Sequence, residues 1–316
     1  MTASTSESAT APLTRPRIRA SRRYGTASPL RYPGGKAALA GLFGDIIASL
    51  SIDDPCYVEP YAGGAGAGVA LLRNGLIDHL IINDIDPAVH AFWRVVVDHN
   101  DDFVEKIRTV PLSLDEWKRQ RAIYRTGNPS DVMQLGFAFF YLNRTNRSGV
   151  LNAGVIGGQA QEGKYKIDAR FNRDTLIDRV KALGVLADRI TVSDLDGRTV
   201  IARYSDHKNV FMYIDPPYVQ AGSLLYLNAF TSRDHKALAR VVASVTKAHW
   251  LLTYDAAPLV EQLYHDRVCA HLAMNYSARY PGRAEELLVA SPSVAAALQT
   301  CRAMASADGV DIAVAG

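Results

Sequence analysis

The segment from Cys56 to Asp84 restricts the possible folds more than any other part of this 316-residue chain. A short apolar run, Cys56 to Val58, leads into Glu59-Pro60-Tyr61-Ala62-Gly63-Gly64-Ala65-Gly66-Ala67-Gly68. A helical pattern through Leu71 and Leu72 follows, then a second apolar run, His79 to Ile82, that ends at Asn83-Asp84. Strand, glycine-rich turn, helix and strand in that order form a β-loop-α-β unit.

The same alternation returns later in the chain. A helix is expected over Asp174 to Leu186, strands over Ile190 to Ser193 and Val210 to Ile214, a helix over Arg233 to Lys247 and a strand over Trp250 to Tyr254. The segments Val268 to Tyr276 and Leu287 to Ala290 suggest a closing hairpin. Strands separated by helices predict an α/β fold, a Rossmann-like, doubly wound and mostly parallel sheet. Residues 87 to 142 carry only helical periodicity, and residues 143 to 171 form a glycine-rich polar loop too long for a simple connector. The expected organisation is therefore a disordered Arg-rich tail (1–27), a ligand-binding catalytic domain in two pieces (28–99 and 173–291), a largely helical insertion (100–172), and a C-terminal helix and tail (292–316).

Net charge is only +3, but it is unevenly distributed. Residues 1 to 27 hold five Arg against Glu7, and residues 141 to 173 hold six basic against two acidic residues, so each stretch carries +4 and the remainder −5. Two basic patches on a mildly acidic body suit a polyanionic partner. Cys56, Cys269 and Cys301 are too scattered for a disulfide framework or a zinc site, so no metal is expected. No apolar run is long enough to span a membrane and no secretory segment opens the chain, which predicts a soluble, cytoplasmic protein.

The turn at 59–68 has the composition of a nucleotide-type site, because small residues let backbone approach a ligand. Asp84 ends the next strand, where a carboxylate can accept hydrogen bonds from both hydroxyls of a ribose. That spacing alone does not choose between a dinucleotide and S-adenosylmethionine. Glu59 tilts the choice: a carboxylate there repels a pyrophosphate and favours a cationic ligand. A plain tight turn packing helix on sheet is the alternative.

The strand Val210 to Ile214 runs straight into Asp215-Pro216-Pro217-Tyr218. An exocyclic amine conjugated with a purine ring is a poor nucleophile, and its activation needs acceptors for its N–H bonds as charge develops. Asp215 and the carbonyl of Pro216 can supply them, Pro216 and Pro217 fix the backbone, and Tyr218 offers a ring face for stacking. A base inside a duplex would have to be extruded to reach such a site. A turn that merely stops a strand is the alternative reading of the tetrad.

Taken in order, Leu30-Arg31-Tyr32-Pro33-Gly34-Gly35-Lys36, the Glu59-Pro60-Tyr61 turn, Asn83-Asp84-Ile85-Asp86, Asn143-Arg144-Thr145, Asp215 to Tyr218 and Arg283-Ala284-Glu285-Glu286-Leu287-Leu288 resemble the Dam-type family of S-adenosylmethionine-dependent DNA adenine methyltransferases. The resemblance covers roughly Leu30 to Ala290. It implies transfer of methyl from S-adenosylmethionine, leaving S-adenosylhomocysteine, to the exocyclic amine of an adenine flipped from double-stranded DNA. It implies that Tyr32 and Lys36 lie beside the methionine part of the cofactor, that Glu59, Tyr61 and Gly63 line its pocket, that Asp84 holds the ribose and that Ile85 packs on the adenine. An acidic residue after Ser193 should meet the adenine amino group, Asp196 in preference to Asp194. The target-recognition segment falls on the insertion and its basic loop, with Arg144, Asn146, Arg147, Lys164 and Lys166 as candidate DNA contacts. The family also admits a cognate restriction endonuclease as a partner. Related tetrads occur in enzymes that methylate RNA or a protein glutamine amide, and a silent DNA-binding module could keep the fold without the chemistry. The recognised DNA sequence is not legible.

Overall fold

The computed structural model describes residues 17–19, 23–31, 36–219, 230–275 and 283–307. Among these residues one sheet has eight strands: β1 (Arg17–Arg19), β2 (Cys56–Glu59), β3 (His79–Asn83), β4 (Ile190–Ser193), β5 (Val210–Ile214), β6 (His249–Asp255), β7 (Val268–Asn275) and β8 (Arg283–Ala290). Their order is β1-β7-β8-β6-β5-β2-β3-β4. β8 runs antiparallel to both β6 and β7, and the other neighbours are parallel. From β2 the chain steps outward to β3 and β4, returns to β5 and steps the other way to β6. The direction therefore reverses between β2 and β5, and ligands of such sheets bind beyond the carboxyl ends of the strands at that point. This is the doubly wound α/β architecture expected from the alternation.

The α-helices around the sheet are α1 (Ala40–Ser49), α2 (Gly66–Arg73), α3 (Pro87–Asp98), α4 (Asn100–Thr109), α5 (Leu114–Thr126), α6 (Val132–Thr145), α7 (Arg173–Gly184), α8 (Gly197–Tyr204), α9 (Ser232–Ala243), α10 (Pro258–Tyr264) and α11 (Pro292–Ala307). Local chemistry sets several starts. Asp86 accepts from Ala88 N and Val89 N ahead of Pro87 at the first turn of α3, and Ser113, Asp131 and Asn172 cap α5, α6 and α7. Thr231 and Asp234 form a reciprocal capping box on α9. Gly127 ends α5 in the left-handed region, φ 58°.

Strand alternation divides the core. Tyr57, Phe211, Tyr213 and Leu251 face one hydrophobic layer, while Val58, Met212, Ile214 and Leu252 face the other. Helices α4 to α6 do not stand apart from the first layer. Phe103 of α4 and Phe137 and Phe140 of α6 join Phe92 of α3 in one ring cluster. α6 crosses α3 at Gly136, where an added Cβ would lie 2.7 Å from the Ala91 carbonyl oxygen.

Three elements were not anticipated. α8 and α10 have eight and seven residues, too short for helical periodicity to stand out. β1 lies within the stretch expected to lack regular structure and adds a three-residue parallel pair to the outer edge of β7. Helix α9 stops at Ala243, before the expected Lys247. No helix among the described residues is long and apolar enough to cross a membrane.

Candidate active site

The strand ends at the switch point are tied together by Asn83, which is fully buried. Its Nδ2 donates to the Pro60 and Leu195 carbonyls, each at 2.9 Å, and its Oδ1 accepts from Leu195 N and Ser193 Oγ. One amide side chain thus fixes the exits of β2, β3 and β4 relative to each other. Asp84, the next residue, accepts from Gly63 N (2.9 Å, Oδ2) and from Asp86 N (3.0 Å, Oδ1). Burial raises its carboxyl to about 6, against the lowering effect of those two N–H groups. Gly63 adopts φ 47°, and its carbonyl accepts from Trp93 Nε1 at 2.8 Å. The glycine turn and the Asp84 carboxylate are therefore in direct contact.

Glu59, at the end of β2, is buried and accepts from Gly68 N at 2.9 Å. An added Cβ at Gly68 would lie 2.6 Å from Leu80 Cδ1 and 3.0 Å from Glu59 Oε1, so a side chain there would have to displace Leu80 or the carboxylate. Burial lifts Glu59 to about 8; the Gly68 N–H opposes that rise and the negative charge of Asp215 adds to it. Ile85 is 47% exposed beside these groups, one of few large apolar side chains left uncovered. Tyr61 packs edge-on against Phe230, and Gly197 lies so close to its ring that an added Cβ would be 2.4 Å from Cζ. Two buried carboxyl groups, which burial biases toward their neutral form and a positive partner would bias toward the ionised one, could with a glycine cradle and an uncovered apolar edge hold a nucleoside-type ligand.

Asp196 has other engagements. Its carboxylate caps α8 through Arg198 N (2.8 Å) and pairs with the Arg198 guanidinium, which holds it below the usual carboxylate range. Asp194 is exposed directly after β4, where Asp84 N donates to the Ser193 carbonyl.

Across the switch point, Asp215 is the first residue past β5. Its Oδ1 accepts from Thr253 Oγ1 at 2.8 Å, and Lys36 Nζ lies 3.0 Å from Oδ1 and 2.9 Å from Oδ2. Lys36 also reaches Tyr218 OH at 2.8 Å and Glu286 Oε1 at 3.4 Å. Burial would lower the Lys36 ammonium, but the charges and hydrogen bonds of Asp215 and Glu286 outweigh it and the net direction is upward. The Tyr218 hydroxyl donates to Glu286 Oε1 at 2.7 Å, and its ring packs against Tyr254. Pro216 is buried and Pro217 half-buried, and Val219 N donates to Asp255 Oδ1, which fixes the chain leaving the tetrad. Lys36 thus sits on the tetrad itself. Tyr32 lies outside the described residues.

Glu286 and Thr253 received no role from sequence reasoning, although Glu286 lies within the quoted Arg283 to Leu288 motif. A carboxylate directly before the apolar run Leu287 to Ala290 was the available signal, because a charge entering a central strand needs partners. Thr253 carried no signal, since threonine is ordinary in strands.

The candidate DNA contacts separate into two groups. Arg144 is buried, donates from Nε to the Arg170 carbonyl at 2.8 Å, and has its basicity lowered to about 9 by burial and by Arg31, Arg179 and Arg170. Asn146 is fully buried: Oδ1 accepts from Trp117 Nε1 at 2.7 Å, and Nδ2 donates to the Val150 and Leu151 carbonyls. Both brace the loop from within, and in this state neither faces a partner. Arg147, Lys164 and Lys166 are exposed. Neighbouring Asn143 is also buried and clamps both the Arg31 backbone and the Gly149 carbonyl. It connects the loop to the segment that leads to Lys36. Among the described residues no group of three or more His, Cys, Asp or Glu is placed to hold a metal.

Comparison with known proteins agrees with this geometry. The model of the family described as D12 class N6 adenine-specific DNA methyltransferase matches residues 32–278. The type II methyltransferase M.MjaIII of Methanocaldococcus jannaschii is 26% identical over 189 residues, which cover 56% of this chain and 63% of that protein. The type II methyltransferase M.CviBI of Paramecium bursaria Chlorella virus NC1A is 22% identical over 236 residues, 74% of this chain and 85% of that protein. The matched part therefore spans less than two thirds of the length of M.MjaIII. With the family model covering most of its length, this chain belongs to the D12 class N6 adenine-specific DNA methyltransferase family.

Proposed function

We propose that this protein transfers a methyl group from S-adenosylmethionine to the exocyclic amine of an adenine extruded from double-stranded DNA. Family membership implies a methyl donor and a DNA substrate. The observation that carries the reading is the position of Asp215. It directly follows β5, the strand paired with the β2 strand that ends at Glu59, with its carboxylate anchored by Thr253 and Tyr218 against it.

When bound, S-adenosylmethionine supplies an activated methyl on a sulfonium. Asp84 would hold the ribose hydroxyls through lone pairs not used by Gly63 and Asp86. Ile85 would cover the adenine, and Glu59 would offset the positive charge. Asp194 is preferred over Asp196 for the adenine amino group, because the Asp196 carboxylate is engaged by Arg198.

Tyr218 would stack the target base. The Pro216 carbonyl and Asp215 would each accept one N–H of its amine, turning the nitrogen lone pair out of conjugation. Asp215 would then take the proton that nitrogen releases as the new N–C bond forms and the sulfonium S–C bond breaks, its electron pair staying on the sulfur of the departing S-adenosylhomocysteine. Lys36 must first leave the oxygen of Asp215 that the amine approaches, with Glu286 as its second carboxylate. Residues 100–172 would carry target recognition, with Arg147, Lys164 and Lys166 on DNA phosphates. Mapping modified bases in DNA from cells that express the chain tests this reading. It requires methyladenine in a defined sequence context, and methylation confined to cytosine would refute it.

A further inference from the structure

The anchor behind Asp215 has a defined direction. Lys36 spans both Asp215 oxygens, so the carboxylate is an ionised acceptor, and the single Thr253 proton must point at Oδ1 across the 2.8 Å contact. The Tyr213 hydroxyl, 2.7 Å from Thr253 Oγ1, must then be the donor of that pair. Tyr213 is 3% exposed and Thr253 fully buried, so water does not compete for either link. Burial also holds the Tyr213 phenol well above its ordinary value, which keeps its proton in place.

Sheet topology sets the anchor inside the hydrogen-bonded ladder and Asp215 just past it. Asp215 lies just beyond the end of β5, whereas β6 continues to Asp255 and Thr253 is paired with Leu288 of β8. A residue outside the ladder is thus fastened to one inside it. Oδ1 also has the Tyr218 hydroxyl at 3.1 Å, while among the described residues the contact on Oδ2 is Lys36. We propose that Thr253, aligned by Tyr213, is the positioning residue that holds Asp215 through Oδ1 and so presents Oδ2 to the N–H of the target amine. This rests on the methyltransferase reading above.

The test measures single-turnover methyl transfer to duplex DNA and, separately, cofactor affinity. Wild type is compared with Thr253→Ser, Thr253→Val, Tyr213→Phe and the Thr253→Val/Tyr213→Phe double variant. Loss of a hydrogen bond to a charged group predicts a fall in kcat of roughly tenfold to a hundredfold for Thr253→Val, with KM for the cofactor unchanged. Thr253→Ser should retain nearly full activity. Tyr213→Phe should slow the wild type but add nothing to Thr253→Val, because the chain is already cut. If Thr253→Val does not fold, Thr253→Ala carries the same expectation. Equal losses for serine and valine, a kcat for valine within about twofold of wild type, or additive effects of the two positions would overturn the proposal. A wild-type chain that methylates no duplex DNA would remove the underlying reading instead, and is distinguishable because all variants would then be equally silent.

Discussion

Lys36 Nζ lies 2.9 Å from one oxygen of Asp215 and 3.0 Å from the other, with Glu286 Oε1 3.4 Å away and almost wholly buried. One ammonium between two carboxylates gives the site a resting arrangement that the target amine must open. Without Glu286 the ammonium stays compensated by Asp215, but the Tyr218 hydroxyl loses its acceptor at 2.7 Å, and a buried polar group left unsatisfied costs about 1–3 kcal/mol. Glu286→Ala should therefore lower stability by about that amount in denaturant titration. Glu286→Gln should fold, yet slow transfer roughly tenfold as Lys36 settles on Asp215 alone. An alanine variant of unchanged stability would show that Glu286 does not hold the Tyr218 hydroxyl.

Glu59 would make the proposed cofactor site sensitive to pH. Its carboxyl is raised by burial to about 8, from an ordinary 4.5. In the ligand-free protein its contribution to stability is thus fully present below about pH 4.5 and is lost as pH rises through about 8. A cationic ligand favours the charged form, so binding should release a proton below pH 8 and affinity should rise with pH, by up to about tenfold per unit, before levelling near 8. Calorimetry in buffers of different ionisation heat measures the released proton, and Glu59→Gln should abolish both the release and the slope. Proton uptake on binding would reverse the assigned sign.

The basic loop predicts two kinds of variant. Lys164→Ala or Arg147→Ala should weaken DNA binding for all sequences and reduce the salt slope by about one, leaving thermal stability unchanged. Asn146→Ala strands the Trp117 N–H and two carbonyls, and should cost about 3 kcal/mol of stability. A stable Asn146→Ala protein with a reduced salt slope would return that residue to the DNA-facing group.

Gly197 and Tyr61 form a tight contact at the wall of the proposed cofactor site. An added Cβ would lie 2.4 Å from Tyr61 Cζ and 2.8 Å from its hydroxyl oxygen. Gly197→Ala should displace the ring, weaken cofactor binding roughly tenfold, and lower stability by about 1–3 kcal/mol. Unchanged cofactor affinity would exclude Tyr61 from the pocket wall.

Much of the site was legible because its chemistry sits where strand periodicity stops. Glu59, Asp84 and Asp215 each end or directly follow an apolar strand, and a strand's end can be read locally. Glu286 and Thr253 could not be assigned in that way. Their positions depend on β8 running antiparallel beside β6, with Thr253 opposite Leu288, a pairing that joins distant segments. Arg144 and Asn146 were placed on DNA because charge and polarity mark a residue type but not its burial. A loop of this length needs internal polar braces for its backbone, and these two side chains serve that need. Asp196 was preferred over Asp194 on position alone, whereas Arg198 two residues on pairs with it as soon as α8 forms.

Methyl transfer by wild type and Asp215→Ala, with labelled S-adenosylmethionine and duplex DNA followed by nucleoside analysis, tests the central claim most directly. Label should appear in N6-methyladenine from the wild type. Asp215→Ala should lose several orders of magnitude of that incorporation, with cofactor affinity largely retained. Label in cytosine, or equal incorporation by the two proteins, would contradict the claim.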